Sequence, residues 1–171
     1  MSSLRYTYLV GLGSNQPHSL IGKPAHVITQ AIAALEMDDV DVFAQSAVIE
    51  SAPIGPSLRR YANAAIIVSS DLDPPALLSR FLQVEAHFGR VRRGQRWRAR
   101  VLDIDILLWS EGMWISAAPE LVIPHRYMRG RNFVLTPAAM IAPHWRDPVT
   151  GRTLRHLQSR LNRPKRLDPE G

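Results

Sequence analysis

The stretch VLDIDILLW, Val101–Trp109, determines the fold class that the sequence predicts. Its apolar density is typical of a central strand of a sheet. Side chains two apart on a strand point to the same face, so Asp103 and Asp105 are predicted to project together, while Ile104 and Ile106 enter an apolar core. The strand therefore has one buried face and one face that carries charge.

The segments before this strand alternate between strand and helix patterns. They predict strands at Tyr6–Leu12, closed by a Gly13-Ser14-Asn15 turn, at about Val40–Ile49 and at Asn63–Ser69, with helices that open at Pro24 and at Asp73-Pro74-Pro75, the second ending at Gly89. With Val101–Trp109 the order is β-α-β-β-α-β. This succession predicts the α+β class: a ferredoxin-like βαββαβ core with an antiparallel sheet and helices packed on one face.

A C-terminal extension follows this core. It is predicted to contain a short hairpin strand at Met113–Ile115, helices near Phe133–Ile141 and Leu154–Arg160, and a flexible tail, Asn162–Gly171. A chain of 171 residues with 46% hydrophobic content is enough for one compact core. We therefore expect residues 1–171 to form a single domain.

The composition excludes several classes of protein. No apolar run approaches the ~20 residues of a membrane span, and Met1–Tyr6 lacks the long apolar core of a secretory signal. The absence of cysteine excludes disulfides, thiolate metal sites and cysteine nucleophiles. We expect a cytoplasmic protein.

The positive charge is concentrated in one segment. Of 21 basic residues only Lys23 and Lys165 are lysines, and the six arginines of Arg90–Arg100 equal the whole net charge of +6. A local excess of guanidinium groups predicts a polyanionic partner, which could be nucleotide phosphate, nucleic acid or an acidic membrane surface.

Asp103-Ile104-Asp105 is the candidate chemical centre. An isolated Asp-x-Asp is more often solvated or paired with a neighbouring arginine. Here it is flanked by buried apolar positions, so the two charges need compensation. Mg²⁺ provides it, because this ion is typically held by one or two carboxylates together with phosphate oxygens. Arginines next to the carboxylates would then bind the same phosphates, as phosphoryl transfer requires.

These residues resemble the signature of the 6-hydroxymethyl-7,8-dihydropterin pyrophosphokinase family. The strongest match is Gly89–Arg92, Arg96-Trp97 and Arg100–Leu108. Supporting marks occur in the same order along roughly Tyr8–Pro143: Gly13-Ser14-Asn15, Pro53-Ile54-Gly55, Tyr61, Asn63, Glu85, Pro124-His125, Met128, Arg131 and Phe133. The resemblance implies transfer of pyrophosphate from ATP to the hydroxymethyl oxygen of the pterin, giving the pterin diphosphate and AMP in folate biosynthesis.

The resemblance also implies a role for each matched residue. Asp103 and Asp105 would hold two Mg²⁺ ions, with Arg90 and Arg100 as the catalytic arginines. The ATP-binding residues would be Glu85, Arg92, Arg93, Arg96, Ile106, His125 and Arg131. The pterin-binding residues would be Ser51, Ala52, Ile54, Tyr61, Asn63, Trp97 and Phe133. The implied partners are the two small-molecule substrates, without nucleic acid or membrane, and the implied state is a monomer.

Two other functions fit parts of this sequence pattern. A ferredoxin-like sheet with a basic loop could bind RNA, but Asn63–Ser69 carries none of the aromatic residues that such sheets use to stack bases. A diverged paralogue, acting on another pterin alcohol or binding without catalysis, stays open. The alternative stays open because the family pattern is not followed at Arg98, Glu120 and Arg126. The presence of both Asp103 and Asp105 favours catalysis.

Overall fold

The computed structural model describes residues 4–37, 39–51, 60–89 and 101–164. Its strands are β1 (Tyr6–Ser14), β2 (Val40–Gln45), β3 (Ile49–Ser51), β4 (Tyr61–Ser70), β5 (Asp103–Trp109), β6 (Trp114–Ala117) and β7 (Glu120–Ile123). Its helices are α1 (Pro24–Leu35), α2 (Pro74–His87), α3 (Asn132–Ile141) and α4 (Leu154–Leu161), with a 3₁₀ turn at Met128–Gly130.

Five strands form one antiparallel sheet. The order is β2-β4-β1-β5, with β3 also paired to β4. Strands β6 and β7 form a separate two-stranded hairpin. The predicted α+β class with an antiparallel sheet is confirmed.

Helices cover both faces of this sheet. Helices α1 and α2 pack against one face, where Tyr8, Ile28 and Phe81 are fully buried. Helices α3 and α4 pack against the other face, around Leu9 and Leu135. The two helices of the β-α-β-β-α-β core thus share one face, as predicted, and the C-terminal extension covers part of the opposite face.

Helix α2 begins and ends as its sequence predicts. The Oδ1 atom of Asp73 accepts a hydrogen bond from the amide of Ala76 at 3.0 Å, and proline occupies the first helical positions. Gly89 follows the helix with a φ of 89°, a left-handed conformation that favours glycine. Local capping chemistry is therefore sufficient to set both ends.

Three strand predictions need correction. Strand β1 continues through Gly13 to Ser14, because both pair with β4, so the predicted turn starts later. The predicted strand Val40–Ile49 is two strands, interrupted after Gln45. Strand β5 starts at Asp103 and, among the described strands of the sheet, pairs with β1 alone, so it is an edge strand rather than a central one. Its apolar density comes from burial on both faces by helices.

The C-terminal extension differs from its prediction in detail. The predicted strand Met113–Ile115 lies at Trp114–Ala117 and pairs with β7, which the sequence pattern did not reveal. Helices α3 and α4 were both predicted. At the start of the predicted tail, the backbone amide of Asn162 donates a hydrogen bond to the carbonyl of Gln158 on α4. Residues 165–171 of the tail lie outside the described part of the chain.

Across the described ranges, α2 is the longest helix at 14 residues, and no helix there combines the length and apolarity that a membrane crossing needs.

An ion pair with a buried carboxylate joins the segment between α3 and α4 to the 3₁₀ turn. The side chain of Asp147 is fully buried and accepts hydrogen bonds from Nε and Nη2 of Arg129 at 2.6 and 2.7 Å. Thr150 and the amide of Val149 donate to the same carboxylate. Burial alone would raise the pKa of Asp147, but these donors and the charge of Arg129 together hold the pKa below its ordinary value.

We predict that Phe81→Ala lowers the free energy of unfolding by about 3–5 kcal/mol, because the ring is fully buried and its removal leaves a cavity. Phe43→Ala is the matched control. The ring of Phe43 is 60% exposed, so its loss should change stability by less than about 0.5 kcal/mol. Urea unfolding of both variants measures the difference, and equal losses would contradict this assignment of the core.

We predict that Asp147→Asn lowers the free energy of unfolding by about 3 kcal/mol at pH 7, because it breaks a buried ion pair. A carboxyl group whose pKa is lowered by folding contributes stability above its unfolded pKa and loses it as the pH falls through the folded pKa. The difference between wild type and variant should therefore be largest near neutrality and shrink below about pH 4. Unfolding curves at several pH values measure it, and a difference independent of pH would contradict the prediction.

Candidate active site

Asp103 and Asp105 lie on the face of β5 that α1 and α2 do not cover. Ile104 and Ile106, each 3% exposed, point into the core beneath those helices. The side chain of Asp105 is 50% exposed, and Asp103 is half-buried. The strand alternation predicted from the sequence is confirmed.

Two glycines lie directly beside these carboxylates on β1. Gly13 pairs with Asp103 on one side and Asn63 on the other, and Gly11 pairs with Asp105 and Ala65. A Cβ atom on Gly13 would stand 3.1 Å from Oδ1 of Asn63. Strand β1 therefore contributes no side chain of its own on this face between the aspartates and β4. The side chain of Leu107 lies over Gly11, where an added Cβ would meet it at 3.3 Å, and the backbone at Gly13 is the floor of the site. We call this part of β1, residues 11–13, the bare strip.

Strands β4 and β3 form the other side of the strip, which we call the amide side after the side chain of Asn63. Asn63 and Tyr61 are two residues apart on β4, so both side chains lie on the same face of the sheet as the carboxylates. Ser51 pairs with Tyr61 at the end of β3. Three of the residues predicted to bind a flat polar ring, Ser51, Tyr61 and Asn63, are thus adjacent.

A turn from His125 to Arg131 borders the carboxylate side. The amide of His125 donates to the carbonyl of Leu107 on β5 at 3.0 Å, which ties the turn to that strand. Nδ1 of His125 accepts from the amide of Tyr127, so its ring proton is assigned to Nε2, and Nε2 lies 3.8 Å from Oδ2 of Asp105. The imidazole therefore presents a donor next to the carboxylate pair.

The pKa of His125 lies below its ordinary value. Burial of the ring is the largest cause; Asp105 opposes it, Arg131 adds to it, and Asp103 opposes it more weakly. A lowered pKa keeps the imidazole mostly neutral at pH 7. It can then donate a hydrogen bond to an anion without carrying a full charge.

Arg131 lies between two aromatic rings. Its guanidinium carbon is 4.8 Å from the ring centre of Tyr127 and 5.7 Å from that of Phe133. These distances are within the range of cation–π attraction. Phe133 is 47% exposed, so its ring is available for stacking as well.

Glu85 and Ile106 are placed differently from the other predicted residues. Glu85 projects from α2, is 1% exposed, and accepts a hydrogen bond from the amide of Ile104 at 2.8 Å. That amide lies between the two aspartates, so Glu85 supports the strand that carries them. The side chain of Ile106 packs in the core on the opposite face from the carboxylates.

Two residues that depart from the family pattern lie close to each other. Nη2 of Arg126 is 3.8 Å from Oε1 of Glu120, and both side chains are mostly exposed. Opposite charges at these positions compensate for each other at the surface.

Several predicted site residues lie outside the described residues. They are Ala52, Ile54, Arg90, Arg92, Arg93, Arg96, Trp97 and Arg100, together with the departure at Arg98.

The carboxylate pair fits a magnesium ion bound together with a phosphate ligand. Within the described ranges, no three acidic or histidine side chains form a complete cage for a metal. Mg²⁺ needs no such cage, since it keeps water and phosphate oxygens and takes one or two protein carboxylates. Asp103 and Asp105, side by side above a bare strip, provide that donor set.

Sequence reasoning missed two parts of this site. It interpreted Gly13 as a turn residue and did not consider Gly11, although glycines two apart in a strand pattern indicate a close approach on one face. It also did not single out Tyr127, which contacts Arg131. A cation–π contact between positions four apart in an irregular turn has no sequence periodicity that could reveal it.

Comparison with known proteins identifies the relatives of this chain. Residues 9–143 match the family model described as 7,8-dihydro-6-hydroxymethylpterin-pyrophosphokinase. The 2-amino-4-hydroxy-6-hydroxymethyldihydropteridine pyrophosphokinase of Methylorubrum extorquens is 38% identical over 95% of this chain and 94% of its own length. The enzyme of the same name from Synechocystis sp. is 37% identical over 87% of this chain and 73% of its own length.

Solved structures show the same fold. Wild-type HPPK-DHPS of Plasmodium falciparum with STZ-DHP superposes with a TM-score of 0.73 at 13% identity. This chain is covered over 93% of its length and spans 44% of that chain, somewhat less than half.

We predict that Gly13→Ala displaces the side chain of Asn63 with little effect on stability, because the added Cβ requires a shift of a few tenths of an ångström from a flexible amide. The side-chain amide resonances of Asn63 should move in a ¹H–¹⁵N spectrum. Gly130→Ala is the control, since a Cβ there meets nothing within 4 Å. Unmoved Asn63 resonances in the Gly13 variant would contradict the proposed contact.

Proposed function

Because the chain belongs to the 7,8-dihydro-6-hydroxymethylpterin-pyrophosphokinase family, we propose that it transfers pyrophosphate from ATP to 6-hydroxymethyl-7,8-dihydropterin in folate biosynthesis. It is thus an ATP-dependent diphosphotransferase. The observation that carries this proposal is the pair Asp103 and Asp105, which share one face of β5 beside the glycines of β1.

The reaction is a displacement at phosphorus. The hydroxymethyl oxygen attacks the β-phosphorus of ATP and loses its proton, a new oxygen–phosphorus bond forms, and the bond to the oxygen bridging the α- and β-phosphorus atoms breaks. AMP leaves, and the pterin carries the diphosphate. Asp103 and Asp105 would hold Mg²⁺, two ions by the family resemblance, and the metal supplies neutralisation of phosphate charge and alignment of the reacting groups.

The chain's own cations and donors border the triphosphate in this proposal. His125 directs an Nε2–H donor toward the region beside Asp105, and Arg131 provides a guanidinium oriented by Tyr127 and Phe133. By the family pattern, Arg90 and Arg100 would stabilise the transferred group, and Arg92, Arg93 and Arg96 would bind phosphate oxygens. Glu85 would serve the nucleotide side indirectly, through the amide of Ile104.

The pterin would bind at the amide side of the strip. Asn63 offers both a donor and an acceptor for the polar edge of the ring, and Ser51 and Tyr61 line the same end of β3 and β4. The exposed ring of Phe133 can stack on the flat bicycle. Ala52, Ile54 and Trp97 would complete this half by the family pattern.

The wider setting follows from the same proposal. The proposal includes a monomer and a single domain over residues 1–171, since the matched family region, residues 9–143, contains every residue assigned to the site. The use of ATP supports a location in the cytoplasm.

We predict that the purified chain, with Mg²⁺, ATP and hydroxymethyl-dihydropterin, releases AMP in an amount equal to the pterin diphosphate formed. Chromatography of the nucleotides measures this. Release of ADP instead would indicate transfer of a single phosphoryl group, and no turnover of this pterin would favour a diverged paralogue.

We predict that Asp103→Asn and Asp105→Asn each lower kcat by roughly 10²–10³-fold without unfolding the protein, because the transition state loses charge stabilisation while both side chains lie at the surface of the sheet. Asp41→Asn is the matched control, since Asp41 is also a strand carboxylate and pairs with Arg5 away from the strip. Near-normal AMP release by either site variant would contradict the metal assignment.

A further inference from the structure

We propose that Asp147 is a positioning residue for the nucleotide half of the site, acting through Arg129 on the turn that carries His125 and Arg131. The proposal rests on the proposed function, and it assigns a role to the C-terminal extension beyond covering the sheet. Asp147 itself would touch neither substrate.

The surroundings of Asp147 form a closed set of donors. Its fully buried carboxylate accepts two hydrogen bonds from Arg129, one from the hydroxyl of Thr150 at 2.8 Å and one from the amide of Val149 at 3.0 Å. The backbone of Asp147 is fixed too, because its amide donates to Arg152 and its carbonyl accepts from Gly151. The carboxylate is therefore a rigid anchor for the guanidinium.

Arg129 connects Asp147 to the site through the backbone of the turn in which it lies. It is the middle residue of the 3₁₀ turn Met128–Gly130, in which the amide of Met128 donates to His125 and the amide of Arg131 donates to Met128. The adjacent side chain of Met128 is fully buried between the sheet and α3. A guanidinium held at 2.6 and 2.7 Å by two parallel hydrogen bonds fixes the rotation of this turn about its buried methionine.

Both ends of the turn carry proposed nucleotide ligands. His125, at the start, faces Asp105 across 3.8 Å, and Arg131, at the end, precedes the first residue of α3. A shift of the turn would change the distance from both groups to the carboxylate pair at once. Loss of the ion pair should therefore affect binding of the phosphates, while Asn63 and Tyr61 on β4 keep their places.

The competing interpretation is that the ion pair contributes stability alone. The two interpretations differ in which kinetic constant changes. A purely structural role lowers the fraction of folded enzyme, which lowers the apparent kcat and shifts neither KM relative to the other. A positioning role raises the KM for ATP selectively.

The principal test is Asp147→Asn. This variant leaves Arg129, whose side chain is 30% exposed, within reach of water, so it is milder than removing the arginine from a buried carboxylate. We expect the KM for ATP to rise about tenfold, with kcat and the KM for the pterin within about twofold of wild type. Equal increases in both KM values, or an unchanged KM for ATP, would overturn the proposal.

Asp39→Asn is the matched control. Asp39 accepts a hydrogen bond from Nε of Arg80 on α2 at 3.0 Å, and this pair joins elements of the opposite layer. The control should lower thermal stability without changing the ratio of the two KM values. A rise in the KM for ATP in this variant as well would show that any lost ion pair has the effect, and would overturn the assignment to Asp147.

A double-mutant cycle tests the route through Arg129. If Asp147 acts through that side chain, Asp147→Asn should raise the KM for ATP by less than about twofold in an Arg129→Gln background. If the increases in the KM for ATP caused by the two substitutions multiply in the double variant, they act independently, and this route is overturned. Should the Arg129→Gln protein fail to fold, Arg129→Lys takes its place in the cycle, because it keeps a charge beside Asp147 and loses the two parallel hydrogen bonds. The same results are then expected or would overturn the route.

Failure of the proposed function can be separated from failure of this inference. If wild type released no AMP, calorimetric binding of an unreactive ATP analogue with Mg²⁺ would replace the KM values. Weaker binding by Asp147→Asn than by Asp39→Asn would still support the positioning role, and equal binding by the two variants would overturn it.

Discussion

The pairing of β1 with β5 is the constraint on which the rest of the structure depends. In this register Gly13 faces Asp103 and Gly11 faces Asp105. A shift by one residue would exchange the two faces of β5 and place both carboxylates in the core. The apolar side chains of Ile104 and Ile106, buried under α1 and α2, prevent that shift. Core packing on one face therefore holds the site open on the other.

The two sides of the bare strip have different chemistry because they belong to different strands. β5 contributes carboxylates, and β4 contributes the amide of Asn63 at the same level of the sheet. A hard cation with phosphate is suited to the first side, and a flat ring with a polar edge is suited to the second. Gly13, which pairs with Asp103 on one side and Asn63 on the other, keeps these two regions in contact without a side chain of its own.

Part of this arrangement could be predicted from the chain. Strand alternation determines that Asp103 and Asp105 share a face, and the N-cap at Asp73 and the glycine at Gly89 determine the ends of α2. The edge position of β5 and the second strand of the hairpin could not be predicted, because both depend on which strands meet in space. Glu85 illustrates the same limit, since its contact with the amide of Ile104 joins a helix to a strand 19 residues further along the chain.

The sequence by itself determined the class of the fold, the carboxylate pair and the family resemblance. Hydrophobic periodicity, helix caps and spaced motifs are local properties, which residues near one another in the chain encode. Only the tertiary structure decided that Gly13 floors the site, that Arg131 lies between Tyr127 and Phe133, and that Asp147 holds Arg129. These contacts follow from the pairing of β1 with its neighbouring strands, from the packing of α3 and α4 on the sheet, or from the close turn before α3. No periodicity in the chain records where two such surfaces meet, so the partnership of the buried Asp147 with Arg129 can be found only after the fold is formed.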